Sequence, residues 1–526
     1  MAYSRLLACL VALALVSACS KPSGDTDQAQ SETQMDTQSA EAPKAAGKAD
    51  SIAAHDGGIP LSASDPAAVS QYMAVRRLAD RGDFIEANQA ARKLTDEHPD
   101  YIGGWIMLGN TALSGEQFVK ATRKANELSD SGTKGEQLWA AINMSFVTNN
   151  TAKGLKLGKK LVDAYPDAPR AWIVYSFLLA GDSQHSEARS AGEKALKLAP
   201  DQAVTHNNLG FSYLYNDPKD FALSEQHFQH AIDLDAGEDN YQVNLGDVHR
   251  AMGNLEAARN DYSRALEIDA ENEVAAVKRG HVNSFLGNFD EARADYDTGI
   301  AAGQEGNQST LANYRAFVNL HAGDYQAAVD ELKRELDRVD TLEMPSDQKI
   351  GARTFLLTNI TDICFNFAML DDAQAAVTQL SASLAEAGAN SGDENYARQQ
   401  KATAAFWEGK LAARQGDSAA AKAKAEEFAA LLADDDNSRK MERYHELLGL
   451  MALKQGDNEL AIEHYRQANL STSPGAGDVK NAYMLAKALR AAGNSEEADK
   501  LMNTVANWNF NSAWFAMLRK DAAGTS

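Results

Sequence analysis

Small, aromatic and apolar positions recur along this chain with a period of 34 residues. The clearest copies are Asn240–Ala270 and Val274–Gln304, in which Gly246 and Gly280, Gly253 and Gly287, Ala258 and Ala292, and Tyr262 and Tyr296 all stand 34 apart. The connecting stretch repeats as well, Gly253-Asn254-Leu255-Glu256-Ala257 against Gly287-Asn288-Phe289-Asp290-Glu291. This spacing predicts a pair of helices per copy. The glycine ends the first helix, where a left-handed cap is often needed. The small residues let two helices approach at the short end of the roughly 8–10 Å range, and the aromatic fills the gap beside them. One pair leaves its apolar face open, so successive copies have to stack.

Other copies carry the same marks. Trp172, Ala188, Ala195 and Pro200 form one; Leu209, Gly210, Phe228 and Ala231 the next; Leu448, Gly449, Ala461, Tyr465 and Ala468 another. Weaker ones begin near residues 68, 102, 135, 309, 402 and 479. These residues resemble the tetratricopeptide repeat (TPR) family. The resemblance implies an all-α fold, a right-handed superhelical solenoid of about eleven to twelve antiparallel helix pairs, covering roughly Ala68 to Asn507. The pattern weakens at Arg338–Gln348 and Ala387–Asn395, which read as loops. The expected division is therefore an N-terminal array (67–340), a degenerate repeat and connector (341–400), a C-terminal array (401–507), and a segment 508–526. That last segment, aromatic from Trp508 to Leu518, reads as a helix capping the last open interface. The alternative is an exposed docking site for a partner or a membrane surface.

The first residues are an address. Arg5 precedes an apolar run from Leu6 to Val16, about 16 Å of helix and too short for a hydrocarbon core of roughly 30 Å. Residues 1–18 therefore read as a signal peptide. Val16-Ser17-Ala18-Cys19 resembles the bacterial lipobox, in which the cysteine is lipidated; a plain secretory signal is the alternative. The resemblance implies palmitate-type acylation at Cys19 and, with Ser20 next to it, a lipoprotein of the outer membrane facing the periplasm, surface exposure remaining open. Residues 19–66 hold the lipidated cysteine and then a stretch rich in Ser, Thr, Gln, Asp and Ala, with no aromatic between Tyr3 and Tyr72. It reads as a disordered tether, because it cannot bury enough apolar surface to offset ordering.

Composition narrows the chemistry. Alanine is abundant, aromatics are 7 % and prolines number 11 in 526 residues, a mixture that favours helix. The formal charge of −23 argues against nucleic acid as a partner. Three cysteines exclude a disulfide-built scaffold, and Cys364, between Ile363 and Phe365, reads as a buried small hydrophobe. No phosphate-binding loop, H-E-x-x-H or G-x-S-x-G motif occurs. His227, His230 and Asp233 share one helix spacing, but solvated histidines are the simpler reading than a metal site. Asp434-Asp435-Asp436-Asn437 lacks the glycine and distant glutamate of a calcium loop. No catalytic residue, cofactor, metal or small-molecule substrate is expected.

The TPR resemblance puts one face of each first helix on a concave groove. Carried onto this sequence, the groove residues are Asn207, Asn208, Phe211 and Tyr215, then Asn244, Asp247 and Arg250, then Lys278, His281 and Phe285. Asn208 and Asn244 resemble the amides with which related repeats hold an extended peptide, since an amide donates and accepts; they read equally as polar fillers between repeats. The expected function is a non-catalytic scaffold, lipid-anchored to the cell envelope, that binds proteins or peptides in the concave groove. The alternative is a pilotin-like assembly factor of a secretion, pilus or exopolysaccharide-export machine.

Overall fold

The computed structural model describes residues 55–524, apart from Asn149, Gly303, Gln304, Asp436, Ser438 and 473–477. Cys19 and the leader lie outside the described residues. The chain divides into two compact units, up to Tyr241 and from Gln242 onward.

The first unit opens with two short antiparallel strands, β1 (His55–Asp56) and β2 (Ile59–Pro60). Five helix pairs follow: α1 (Pro66–Arg81) with α2 (Phe84–Glu97), α3 (Ile102–Asn110) with α4 (Gly115–Glu127), α5 (Lys134–Val147) with α6 (Thr151–Ala164), α7 (Pro169–Gly181) with α8 (His185–Leu198), and α9 (Ala203–Tyr215) with α10 (Phe221–Leu234). The unit boundary falls inside α11 (Asp239–Ala251). The second unit pairs α11 with α12 (Leu255–Ile268), α13 (Glu273–Leu286) with α14 (Phe289–Ala302), and α15 (Glu305–Ala322) with α16 (Tyr325–Thr341). It continues with α17 (Ser346–Asn366) and α18 (Leu370–Ser391), α19 (Glu394–Gln415) and α20 (Ser418–Leu431), α21 (Glu442–Gln455) and α22 (Asn458–Tyr465), then α23 (Lys480–Ala491) and α24 (Ser495–Ala506). A last helix, α25 (Ala513–Ala522), stands alone.

The 34-residue register is a steric rule in three dimensions. A Cβ added at Gly246 would sit 2.6 Å from the ring of Tyr262, at Gly210 2.8 Å from Phe228, and at Gly449 2.9 Å from Tyr465. Each aromatic is fully buried, so the ring occupies the space that the missing side chain leaves. Gly253 and Gly287 take φ of 80° and 86°, the left-handed conformation that ends a helix. Short polar residues begin the helices: Asn272 accepts from the Ala275 amide at 2.7 Å and Asp457 from that of Leu460 at 3.1 Å.

Two expectations change. The tether is ordered from residue 55, where the hairpin forms and leads into α1. Its composition misled because the hairpin is buried by two apolar residues, Ile59 and Leu61, and by ion pairing of Asp56. The expected degenerate repeat and connector, 341–400, is a full helix pair with no extended connector: α17 and α18 run 21 and 22 residues. They share a core of Leu356, Leu357, Ile360, Ile363, Val377 and Leu380. Branched aliphatics replace the small-plus-aromatic signature there, so the repeat is muted while the helix pair persists.

Candidate functional site

In the first unit the hairpin lies against alternate helices, and those helices define the inner face. Ile59 packs with Ile102 and Ile106 of α3, Leu138 and Trp139 of α5, and Ala168 and Ala171 at the start of α7. The turn is Gly57-Gly58, at φ of 52° and 92°. A Cβ at Gly58 would stand 2.8 Å from the Ala168 Cα, so glycine is what admits the hairpin to α7. Asp56, 1 % exposed, is the anchor. Arg76 of α1 approaches Oδ2 at 3.0 Å, Arg170 of α7 approaches Oδ1 at 3.2 Å, and the Tyr72 hydroxyl donates to Oδ2 at 2.6 Å. Burial alone would raise the Asp56 carboxyl; Arg76 and Arg170 hold it below its ordinary value. Arg170 also donates to Asp80 at 3.0 Å, and Arg76 lies 5.1 Å over the Trp139 ring. Glu136 closes the far end, accepting from the Ser62 amide at 3.1 Å while it completes the capping box of α5.

In the second unit the inner face seats the C-terminal segment. α25 packs on α24, the last helix of the array, as a cap does, and also on α15, α17 and α23. Trp508, Trp514, Phe515 and Leu518 join the core of this unit, and Asp362 and Asp478 accept from the segment. Phe515 is fully buried, its ring 5.3 Å from Phe285 and 5.7 Å from Trp508. Asn511 is read by three side chains. Its Nδ2 donates to the Tyr296 hydroxyl and to His281 Nδ1, both at 3.1 Å, and its Oδ1 accepts from His321 Nε2 at 3.3 Å. Both histidines are neutral: burial pushes His321 down to about 3 and His281 well below its ordinary value. Trp514 Nε1 donates to Asp362 at 2.9 Å, and Ser512 donates to Asp478 at 3.2 Å while capping α25. Beneath Trp514 lies a buried charge network. Lys410 reaches Asp362 at 3.2 Å and Glu446 at 3.4 Å, with the Trp407 ring 4.3 Å away, and Lys480 pairs with Glu446. Burial would raise Glu446, but Lys480 and Lys410 hold it down to about 2. Burial pushes Asp478 up to about 6. A cavity of about 330 Å³ opens beside the network, lined by Glu446, Asp478, Lys480 and Asn481 among others.

Family models described as tetratricopeptide repeat match residues 240–272, 278–341, 408–474 and 452–520. Those matches include the pairs in which Gly246 meets the Tyr262 ring and Gly449 the Tyr465 ring. This is a tetratricopeptide-repeat solenoid. Solved structures similar to it include the yeast Tom70, at 13 % identity over 84 % of this chain and 97 % of that one, TM-score 0.41. PilW, described as a widely conserved type IV pilus biogenesis factor, is 16 % identical over 40 % of this chain and 95 % of its own, TM-score 0.34. YrrB, described as a TPR protein with an unusual peptide-binding site, is 17 % identical over 34 % and 91 %, TM-score 0.28. No curated protein matches the chain.

The groove residues expected from the TPR pattern separate into two sets. In the first unit Asn207, Asn208, Phe211 and Tyr215 of α9 are half-buried, and Phe211 stacks on Tyr215 at 6.0 Å. In the second unit Asn244, Asp247, Arg250, His281 and Phe285 are buried, and Lys278 nearly so. Asp247 is bracketed by Lys278 at 2.7 Å, Arg250 at 3.0 Å and the Tyr262 hydroxyl at 2.8 Å. Arg250 covers the Phe510 ring at 4.7 Å, so in this unit the solenoid's groove positions touch the chain's own tail. The sequence reading missed Asp56, Arg76 and Arg170, although Asp56-Gly57-Gly58 is a turn signature. It also missed Asn511 and Trp514 as groove contacts, because it placed their segment at the rim.

The other candidates have local explanations. His227 faces His206, Nδ1 to Nδ1 at 3.0 Å, and Asp233 accepts from Gln229 at 2.9 Å. Burial, then His206 and His230, push His227 down to about 4. Asp435 accepts from the Asn437 amide at 2.8 Å, a turn within its own loop. Cys364 is fully buried, and burial pushes its thiol up to about 12. Among the described residues no helix is long and apolar enough to cross a membrane.

Proposed function

We propose that this TPR chain is a non-catalytic scaffold that holds segments of partner proteins on the inner faces of its repeats, and that it works at the cell envelope, anchored by lipid on Cys19 with its folded part toward the periplasm. The observation that supports the binding role is the seating of α25. The second unit's inner face takes a helix by reading side chains one at a time, which is how helix-in-groove recognition works. The first unit offers a second place, the half-buried stretch Asn208–Tyr215 on α9, where an amide and stacked rings meet solvent. The acidic balance of the chain, −23 overall, favours partner segments that are basic. The lipobox resemblance around Cys19 supports the anchorage.

Detergent extracts test both parts. The wild type is expected to carry envelope proteins through affinity purification, and Asn208→Ala/Phe211→Ala to lose a subset of them. Cys19→Ser is expected to leave the membrane fraction and to take up no labelled palmitate. An unchanged partner set removes α9 from the reading, and an unlabelled wild type removes the lipid.

A further inference from the structure

The helix in the second unit is bound as a ligand is bound, and we propose that it holds a partner's place: the inner face of residues 242–526 takes from another protein an amphipathic helix that opens on Asn-x-x-Trp-Phe and closes on basic residues, and residues 509–520 give way to it. This rests on the scaffold reading and names the chemistry of the segment that this face accepts.

Recognition here is side chain by side chain. The Asn511 amide meets His281, Tyr296 and His321, the Trp514 indole meets Asp362, and the Ser512 hydroxyl meets Asp478. A plug serving only to cover apolar surface needs none of these. The face also balances its own charges. Asp362 has Lys410, Glu446 has Lys410 and Lys480, and Asp247 has Arg250 and Lys278. Withdrawal of the tail breaks its hydrogen bonds to the face and leaves those ion pairs standing, so no charge of Asp362, Glu446 or Asp247 loses its partner. The tail's cations end on backbone: Arg519 donates to the Phe285 carbonyl at 3.2 Å and Lys520 to that of His321 at 3.1 Å. Any helix with a basic end at this register meets the same two carbonyls, and a guanidinium there also meets the Phe285 ring, 5.2 Å from Arg519. Finally, residues 507–512 between α24 and α25 are not helical, and Asn509 holds a left-handed φ of 53°. This non-helical stretch, held by Trp508 on the Thr472 carbonyl, is the joint at which α25 would part from α24.

Two measurements on the full chain test this. Hydrogen exchange on the wild type should show the amides of 513–522 opening at least tenfold faster than those of α23, because a resident that gives way opens before the repeats do. A fluorescein-labelled peptide with the sequence of residues 507–522 should bind a Phe515→Ala chain at least tenfold more tightly than it binds the wild type, whose tail competes at high effective concentration. The same peptide carrying Asn511→Ala and Trp514→Ala should lose that binding. Tail amides that open only together with α23 overturn the proposal. So does a Phe515→Ala chain that keeps its helical circular dichroism yet takes up no peptide, or one that loses its helicity, since α25 would then be part of the repeat core. A chain that captures envelope proteins but refuses this peptide keeps the scaffold reading and loses this one.

Discussion

The two units carry the same repeat and fill their inner faces in opposite ways. The first is filled from the N-terminal side by a six-residue hairpin whose anchor is a carboxylate between two arginines. The second is filled from the C-terminal side by a helix anchored through Asn511, Trp514 and two cations on backbone carbonyls, with the face's own charges paired beneath it. The difference lies in what each plug leaves behind. Without Asp56, Arg76 and Arg170 would be buried cations with only Asp80 to share, whereas without Trp514, Asp362 still has Lys410. The hairpin is thus built into its unit, and α25 is docked on its own.

The largest effect should come from Asp56→Asn. Breaking a buried ion pair from one side costs about 3–5 kcal/mol, and urea unfolding followed through Trp139, under the Arg76 guanidinium, reads it. A loss below about 1 kcal/mol would erase the contrast between the two plugs. Next come Trp514→Ala and Phe515→Ala. Each truncation of a buried aromatic has a nominal cost of about 3–5 kcal/mol, but a docked helix can lose no more than its docking energy. The double variant should therefore be little worse than either single one in thermal melts, and full additivity would make α25 part of the core. Gly210→Ala and Gly246→Ala sharpen the comparison from the other side. Each Cβ meets a buried ring within 2.8 Å, so both should lose about 1–3 kcal/mol, alike in the two units. A clear disparity would mean that the repeats differ along with their plugs.

The pH responses should be smaller and opposite in sign. Asp478 titrates at about 6 in the fold against an ordinary 3.8, so the native state holds a proton that the unfolded chain has released. Its contribution is fully present below pH 3.8 and fades as pH rises through 6. Asp478→Asn should gain stability over the wild type at pH 7 and match it in melts at pH 3.8. His227 in the first unit is pushed from 6.5 down to about 4, so the unfolded chain binds the extra proton and stability falls as pH drops through that interval. His227→Gln should flatten that loss; a variant with the wild-type slope would remove the histidine cluster from the account.

The solenoid was legible in the sequence because its packing rule is local. A glycine and the ring that covers it lie in one helix pair, so Gly246 and Tyr262 announce each other at a fixed offset. The helices α17 and α18 blurred because aliphatics pack a pair without any such signature. The plugs were illegible for a different reason. Asp56 meets Arg170 across 114 residues, and Asn511 meets His281 across 230, and no periodicity links such positions. The groove residues sit between these cases. The TPR resemblance put Asp247, Arg250, His281 and Phe285 on one surface, but not that the chain's own end lies over Arg250, His281 and Phe285.

The central claim is that residues 509–520 lie on the inner face of the second unit and not at its rim. Photocrosslinking from a benzophenone side chain placed at position 515, with the linked peptides read by mass spectrometry, tests it most directly. The account predicts links within one chain to the helices that carry Phe285 and His321. Links confined to α23 and α24, or none inside the chain, would contradict it.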